Sequence, residues 1–418
     1  MDPVLLIFLL TYLIIAIGYL PGFRVDRTGG AILGAIAMIV VGAIGFDDAW
    51  RAADFGTLAL LFGLMIVSGA FYVAGFYHWL AIQIERLEVS PKALLACLIG
   101  LAGLLSSLLT NDVVVVAMVP LVIEMTVRRG LSPKPFLLGF ALAANGGSAG
   151  SMIGSPQNMI IAAQMQVTFK QFLMAGGVPA LLSLPMIWLA LVWLYRGKWA
   201  QARDAPIATG GEAPVIINRL ELIKAAIVLL AVVLAFLFSS WPYPLVAFAA
   251  AGVLLLNRRA IGVRSSDLLE RVDGNLLLLV FSLFIINAAI ARTDYPLMAL
   301  HWLAGHGFDL SNPHAMLVVI SLLSDLADNS SAVMLLVPYA DKSTPLVTTA
   351  ALALGAGFSS NIVNFGSLAG IIVVEGAARH GIKISFGEFL KAGGIASIAA
   401  LVMAAAWISW LEYFVSRG

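Results

Sequence analysis

Four short polar stretches interrupt a sequence that is otherwise apolar, and their residue types suit binding and release of small solutes and protons. The first is Ser106-Ser-Leu-Leu-Thr110-Asn111-Asp112, followed by an apolar run to Pro120. Its counterpart is Ser324-Asp325-Leu-Ala-Asp328-Asn329-Ser330-Ser331, followed by a run to Pro338. In both, an asparagine precedes the proline by nine residues. The other two are Asn145-Gly-Gly-Ser148-Ala-Gly-Ser-Met-Ile-Gly154-Ser155-Pro-Gln-Asn158 and Gly355-Ala-Gly-Phe-Ser359-Ser360-Asn361-Ile-Val-Asn364-Phe-Gly366-Ser367. Hydroxyls and amides donate and accept hydrogen bonds to a polar solute. Carboxylates can exchange a proton or hold a cation, and an ionisable group inside a membrane is a functional candidate by default. The candidate solute-binding residues are therefore Thr110, Asn111, Asn145, Ser148, Ser155, Asn158, Asn329, Ser330, Ser360, Asn361, Asn364 and Ser367. Asp112, Asp328 and Asp325 are the candidates for ion or proton coupling.

Such residues act only if helix ends hold them at depth. Ser, Thr, Asn or Asp just before an apolar run is an N-cap, and a helix start turns free N–H groups and partial positive charge outward. At membrane depth that start receives an anion or polar solute. Gly147 and Gly357 precede irregular backbone inside long apolar runs, which survives only where protein or a water-filled cavity satisfies it. Asp54 and Asp273 head long apolar runs and read as ordinary N-caps. His78 and His301 lie near span ends and read as interfacial. Gly176-Gly177 and Gly393-Gly394 suit close helix packing.

Composition requires a membrane. Hydrophobic residues make up 61% of the 418, charged residues 11%, and mean hydropathy is +0.99, where a soluble chain carries about 25% charge. The net charge of +1 gives no reason to expect nucleic acid. Cys97, the only cysteine, excludes a disulfide framework and argues against a thiolate metal site; neither metal nor cofactor is implied. Apolar runs that span or partly span cover 3–20, 29–46, 55–76, 93–108, 112–127, 135–165 and 172–195, then 221–239, 243–256, 274–291, 314–323, 331–340, 345–375 and 386–412. The first begins without the basic region of a cleaved signal and reads as a retained span.

The chain divides into a membrane repeat at 1–196, a cytoplasmic linker at 197–220 and a second membrane repeat at 221–418. Asp54–Phe62 matches Asp273–Phe281, Tyr77–Ala81 matches Leu300–Ala304, and Phe169–Gly177 matches Phe386–Gly394, at offsets of 217 to 223 residues. Repeated halves with paired broken helices recur among secondary transporters, and the pattern favours inverted topologies. Arg196, Lys198, Arg203 and Arg219 form one basic loop; Arg258, Arg259, Arg264 and Arg271 form another. The two crossings between them put both on one side, cytoplasmic by the positive-inside rule. The expected setting is the cell inner membrane, crossed many times.

Thr110-Asn-Asp112 with Pro120, the broken helix ending Gly154-Ser-Pro-Gln-Asn158, and the repeated set at Asp328-Asn-Ser330 and Gly366-Ser367 carry a resemblance. The chain resembles the ion transporter superfamily, which includes citrate and dicarboxylate carriers, NhaD-type antiporters and ArsB-type arsenite efflux proteins. The resemblance implies an all-α polytopic fold of two inverted repeats, with re-entrant hairpins, discontinuous helices, a scaffold domain and a transport domain. It also implies alternating access by movement of the transport domain, often within a homodimer. The dicarboxylate carriers' Ser-Asn-Thr motif stands here as Thr-Asn-Asp and Asp-Asn-Ser.

The interruptions hold aspartates and no Lys or Arg, which suits a site that alternates between a proton and a weakly charged solute. The expectation is a secondary transporter, not an enzyme, that exports arsenite, antimonite or a similar small inorganic oxyacid against protons. Alternatives are a sodium- or proton-coupled carboxylate or oxyanion carrier, a cation/proton antiporter, and a passive channel. An intramembrane hydrolase lacks a span-centred histidine and a Gly-x-Gly-Asp motif.

Overall fold

The computed structural model describes residues 2–20, 22–200, 217–256, 263–363 and 367–416. Asn364, Gly366, Arg203, Arg258, Arg259 and most of the expected linker lie outside them. The described residues fold as helices joined by short turns, with isolated backbone bridges and no strands.

The first half holds α1 (Pro3–Ile17), α2 (Arg27–Val40), α3 (Phe46–Ala52), α4 (Phe55–Val73), α5 (Phe76–Glu85), α6 (Pro91–Leu108), α7 (Asn111–Arg128), α8 (Pro133–Ser148), α9 (Pro156–Met165) and α10 (Phe169–Leu194). The second holds α11 (Arg219–Phe238), α12 (Tyr243–Leu255), α13 (Ser265–Leu269), α14 (Gly274–Ile290), α15 (Tyr295–Gly305), α16 (Pro313–Ala327), α17 (Asn329–Leu336), α18 (Pro345–Ser359), α19 (Leu368–Arg379) and α20 (Phe386–Val415). The two series correspond element for element, and the caps recur with them. Asp54 accepts from Thr57 N and Asp273 from Leu276 N, while Thr168/Gln171 and Ser385/Glu388 form matching capping boxes at α10 and α20. Each cap satisfies N–H groups that a helix start leaves open.

Among the described residues five helices (α4, α6, α10, α11 and α20) are long and apolar enough to cross a membrane alone, and α14 with α15 passes the same test as a pair bent by 84°. Helices α6, α8, α16 and α18 end at the polar interruptions. The molecule is apolar outside, with Leu181 and Phe238 exposed, and carries its polar side chains inside, as lipid requires.

Each half reaches into the other: α12 packs along α4, and α2 along α14. The matching helices run antiparallel. Asp48, just before α4, pairs with Arg292, just after α14, at 2.9 Å. Arg271, just before α14, lies over Tyr72 at the end of α4, 4.3 Å from the ring centroid. Likewise Trp407, late in α20, donates to the Ala175 carbonyl early in α10 at 2.9 Å. The repeats are inverted.

One end of the molecule is strongly basic. There Arg129 caps the end of α5, Lys134 pairs with Glu388 at 3.0 Å, and Lys224 donates to the Leu254 and Leu256 carbonyls at the end of α12. Arg51, Lys170 and Arg292 stand at the other end, where Asp54 neighbours Gln164 and Phe169 N donates to the Tyr243 hydroxyl.

Candidate functional site

Four helix breaks carry the candidate residues, and hydrogen bonds join three of them. In the first half α6 stops at Leu108 and α7 restarts at Asn111; α8 stops at Ser148 and α9 restarts at Pro156. The second half repeats this with α16/α17 and α18/α19. Asn111 N donates to the Gly154 carbonyl at 2.9 Å, which ties the two breaks of the first half together. Thr110 N donates to Ser68 Oγ on α4 at 2.8 Å. Asn287, at the position of α14 that matches Ser68, donates to the Met334 carbonyl on α17 at 2.9 Å and accepts from Tyr12 at 3.0 Å. The break at Thr110 therefore contacts α4, and the body of α17 contacts α14.

Asn145 joins the halves. Its amide donates to Asn361 Oδ1 and to Ser367 Oγ, both at 2.9 Å, while Asn111 donates to Asn145 Oδ1 at 3.4 Å. Asn361 in turn donates to the Leu142 carbonyl at 3.0 Å. Asn158 staples its own hairpin through the Ser148 and Ser151 carbonyls at 2.8 and 3.0 Å. Ser148 and Ser360 donate back to carbonyls of their own helices. Asn145, Ser148, Ser360, Asn361 and Ser367 thus spend these groups on building the site.

Buried polar atoms left without a partner also occur away from the breaks, at Tyr77, Glu221, Thr348, Thr349 and Ser397, but most lie at the breaks, where a ligand could use them. Ser106 Oγ, Thr110 Oγ1, Asn111 Oδ1, Ser155 Oγ and Asn158 Oδ1 in the first half are buried and have no partner, as are Ser324 Oγ, Asp325 Oδ1 and Asn329 Oδ1 in the second. Ser106 matches Ser324 and Asn111 matches Asn329, both at an offset of 218 residues. Each half therefore presents the same serine–asparagine pair. A buried polar atom without a partner costs about 1–3 kcal/mol, and the fold carries that cost twice at equivalent places. Ser106 and Ser324 were not among the expected binding residues; the offset that aligns the asparagines was the signal that could have found them.

The acids do not follow the duplication. Thr110 stands opposite Asp328, and Asp112 opposite Ser330, so each half gives one carboxylate from a different side of its asparagine. Asp112 and Asp328 lie close enough for their charges to interact, with Asp273 near Asp112 and the Arg27 guanidinium near Asp328. Asp328 has φ +113° and caps α17, accepting from Ser331 N and Oγ at 3.3 Å. Asp325 on α16 is half-buried, with Oδ1 buried and Leu322 and Leu326 on the same helix 59% and 63% exposed. Ser330 is buried beside Asp328. Among the described residues no His, Cys, Asp and Glu cluster could hold a metal ion.

Glycines bring the backbones together. A Cβ on Gly147 would strike Gly103, one on Gly154 the Ser106 carbonyl, and one on Gly393 the Asn361 carbonyl. Gly177 and Gly394 meet nothing, so in each Gly-Gly pair only the first glycine makes a close approach.

Comparison with known proteins agrees with this architecture. The family model described as "Citrate transporter" matches residues 10–357. An uncharacterized transporter of Mycobacterium tuberculosis is 30% identical over 417 residues, covering 94% of this chain and 95% of that protein. The silicon efflux transporter LSI3 of Oryza sativa is 38% identical over 163 residues, covering 39% of this chain and 33% of that protein. The crystal structure of the Alcanivorax borkumensis YdaH transporter aligns over 98% of this chain and 97% of its own, with TM-score 0.61 at 18% identity, so the two share a fold.

Proposed function

The chain belongs to the citrate transporter family, CitMHS, and is a membrane transporter; on that premise we propose that it exports a small, hydroxyl-bearing inorganic oxyacid of the arsenite or antimonite kind in exchange for protons. The observation that carries this reading is the pair of unpartnered Ser–Asn sets, Ser106/Asn111 and Ser324/Asn329, buried at equivalent places of the two halves. Asn Oδ1 accepts from a solute hydroxyl, and Ser Oγ both donates and accepts. A neutral polyhydroxy acid fits such a site without a cationic anchor. Asp112 and Asp328 bind protons in alternation with it. A rice relative named for silicon efflux is in keeping with a hydroxylated, weakly acidic cargo.

In this reading the broken helices α7–α9 and α17–α19 belong to a mobile transport domain, which slides past a scaffold built on α4 and α14. The basic end faces the cytoplasm of the inner membrane, and copies of the chain pair as homodimers. The family's description favours one other reading, a sodium- or proton-coupled carboxylate carrier, in which helix N-termini and a co-bound cation hold the anion.

Everted vesicles holding the folded protein test both. Arsenite accumulation driven by an inward-acidic gradient without sodium, and lost with a protonophore, is the expected result. Sodium-dependent citrate uptake with no arsenite accumulation would overturn it in favour of the carboxylate carrier.

A further inference from the structure

Two cavities border the helices that leave the breaks, and they are lined differently. Toward the basic end, α7 and α19 enclose about 400 Å³, with Val116, Val119 and Pro120 on one wall and Glu375, Arg379 and His380 on the other. Toward the other end, α9 and α17 border about 250 Å³. Its acid, Asp54, already accepts from Thr57 N, the Thr57 hydroxyl and Gln164. The offset of 212 residues that aligns Ser155 with Ser367 sets Thr168 opposite His380, and Thr168 is spent in the capping box of α10. Only the cavity toward the basic end is lined by a histidine.

Both walls of that cavity lead back to the breaks. Asp112, Val116 and Pro120 follow at i, i+4 and i+8, so they lie on one face of α7, and all three are half-buried or exposed. A Cβ on Gly376 would strike Val119, so α19 lies directly against α7 at that level. His380 stands one turn further toward the basic end. Its Nδ1 is 2.8 Å from the Gly376 carbonyl. A carbonyl only accepts, so Nδ1 carries the proton and Nε2 is left as the acceptor. No hydrogen bond or ion pair among the described residues occupies Nε2. Beside the ring, Glu375 and Arg379 are 3.9 Å apart, and Lys383 is exposed in the next turn. On the helices that pack against α19, Glu124 and Arg128 of α7 pair with each other, Arg128 pairs also with Glu85, and Lys134 of α8 pairs with Glu388. Imidazole exchanges a proton close to neutral pH, which a guanidinium and a surface carboxylate do not.

We propose that this cavity is the proton outlet of the transporter, and that His380 Nε2 carries the proton between Asp112 and the cytoplasm. The carboxyl proton of Asp112 crosses the cavity along hydrogen-bonded water to Nε2. The imidazolium then gives that proton to bulk buffer, which leaves Asp112 as the carboxylate and the ring neutral. The inference rests on the proton-exchange reading but on no particular solute.

Everted vesicles, with the basic face toward the bath, test it in two steps. Without solute, Val116→Cys in a Cys97→Ala background should react with an impermeant maleimide in the bath. A thiol that stays unlabelled there, yet reacts once the protein is solubilised, would overturn the outlet. Next, the lumen is acidified and proton release on adding arsenite or citrate is followed with a pH dye in dilute buffer. His380→Gln keeps a donor for the Gly376 carbonyl but cannot relay a proton. It should slow release roughly tenfold or more, flatten its dependence on bath pH, and leave the KM for the solute unchanged. Imidazole in the bath should restore the rate by standing in for the missing ring. A rate and pH profile equal to the parent's, or a slow rate that imidazole leaves slow, would overturn the relay. A parent that releases no protons with either solute, although Val116→Cys labels, would overturn the proton-exchange reading and the relay with it.

Discussion

Ser106 and Ser324 hold hydroxyls that nothing else in the described protein satisfies, and that gives their substitution an unusual sign. Removing a bonded polar group destabilises a core, but removing an unsatisfied one is neutral or stabilising. Ser106→Ala and Ser324→Ala should therefore melt no lower than the parent, and up to about 1 kcal/mol more stable, while transport falls at least several-fold. Thermal unfolding in detergent beside vesicle transport checks this; a clear loss of stability in both variants would make these serines structural. Asp112 differs from them because it is expected to carry the coupled proton. Asp112→Asn should abolish coupling while leaving the protein folded. Transport with unchanged pH dependence in that variant would remove Asp112 from the coupling step.

The elements owe their placement to close backbone approaches as much as to helix propensity. Gly393 on α20 passes directly under the Asn361 carbonyl at the end of α18, and its neighbour Gly394 faces open space. Overpacking costs about 1–3 kcal/mol where neighbours cannot shift, and a carbonyl on a helix end cannot. Gly393→Ala should lower the melting temperature and transport together, and Gly394→Ala should change neither. Equal effects would mean that α20 does not pack on the hairpin as described. The duplication is also imperfect at this scale. Helix α5 buries Tyr77, Ala81 and Ile84 and packs against α7, whereas its counterpart α15 buries no residue. Their shared His-Trp-Leu-Ala sequence gave no sign of that difference. The difference lies in tertiary contact: α5 packs on α7.

For the whole molecule, the uneven distribution of cations makes the proposed orientation testable. With the basic end inside, Lys170→Cys should react with an impermeant thiol reagent on intact cells, and Lys92→Cys only in everted vesicles. Both positions are exposed and stand at opposite ends, so the reverse pattern would invert the assignment. The sequence alone determined the membrane setting, the helical class and the duplicated breaks, because hydropathy and capping are local and the offsets near 218 residues are countable. The linker is the part of that reading that falls largely outside the described residues. Only the tertiary structure decided which polar groups are spent and which are left. Asn145 and Asn111 are the same residue type in similar settings, yet Asn145 bonds across the halves to Asn361 and Ser367 while Asn111 keeps a bare Oδ1. Likewise Asp325 is only three residues from Asp328, but Asp328 caps α17 through Ser331 N while Asp325 Oδ1 is left without a partner. Satisfaction of a hydrogen bond depends on partners hundreds of residues away, which no local pattern encodes.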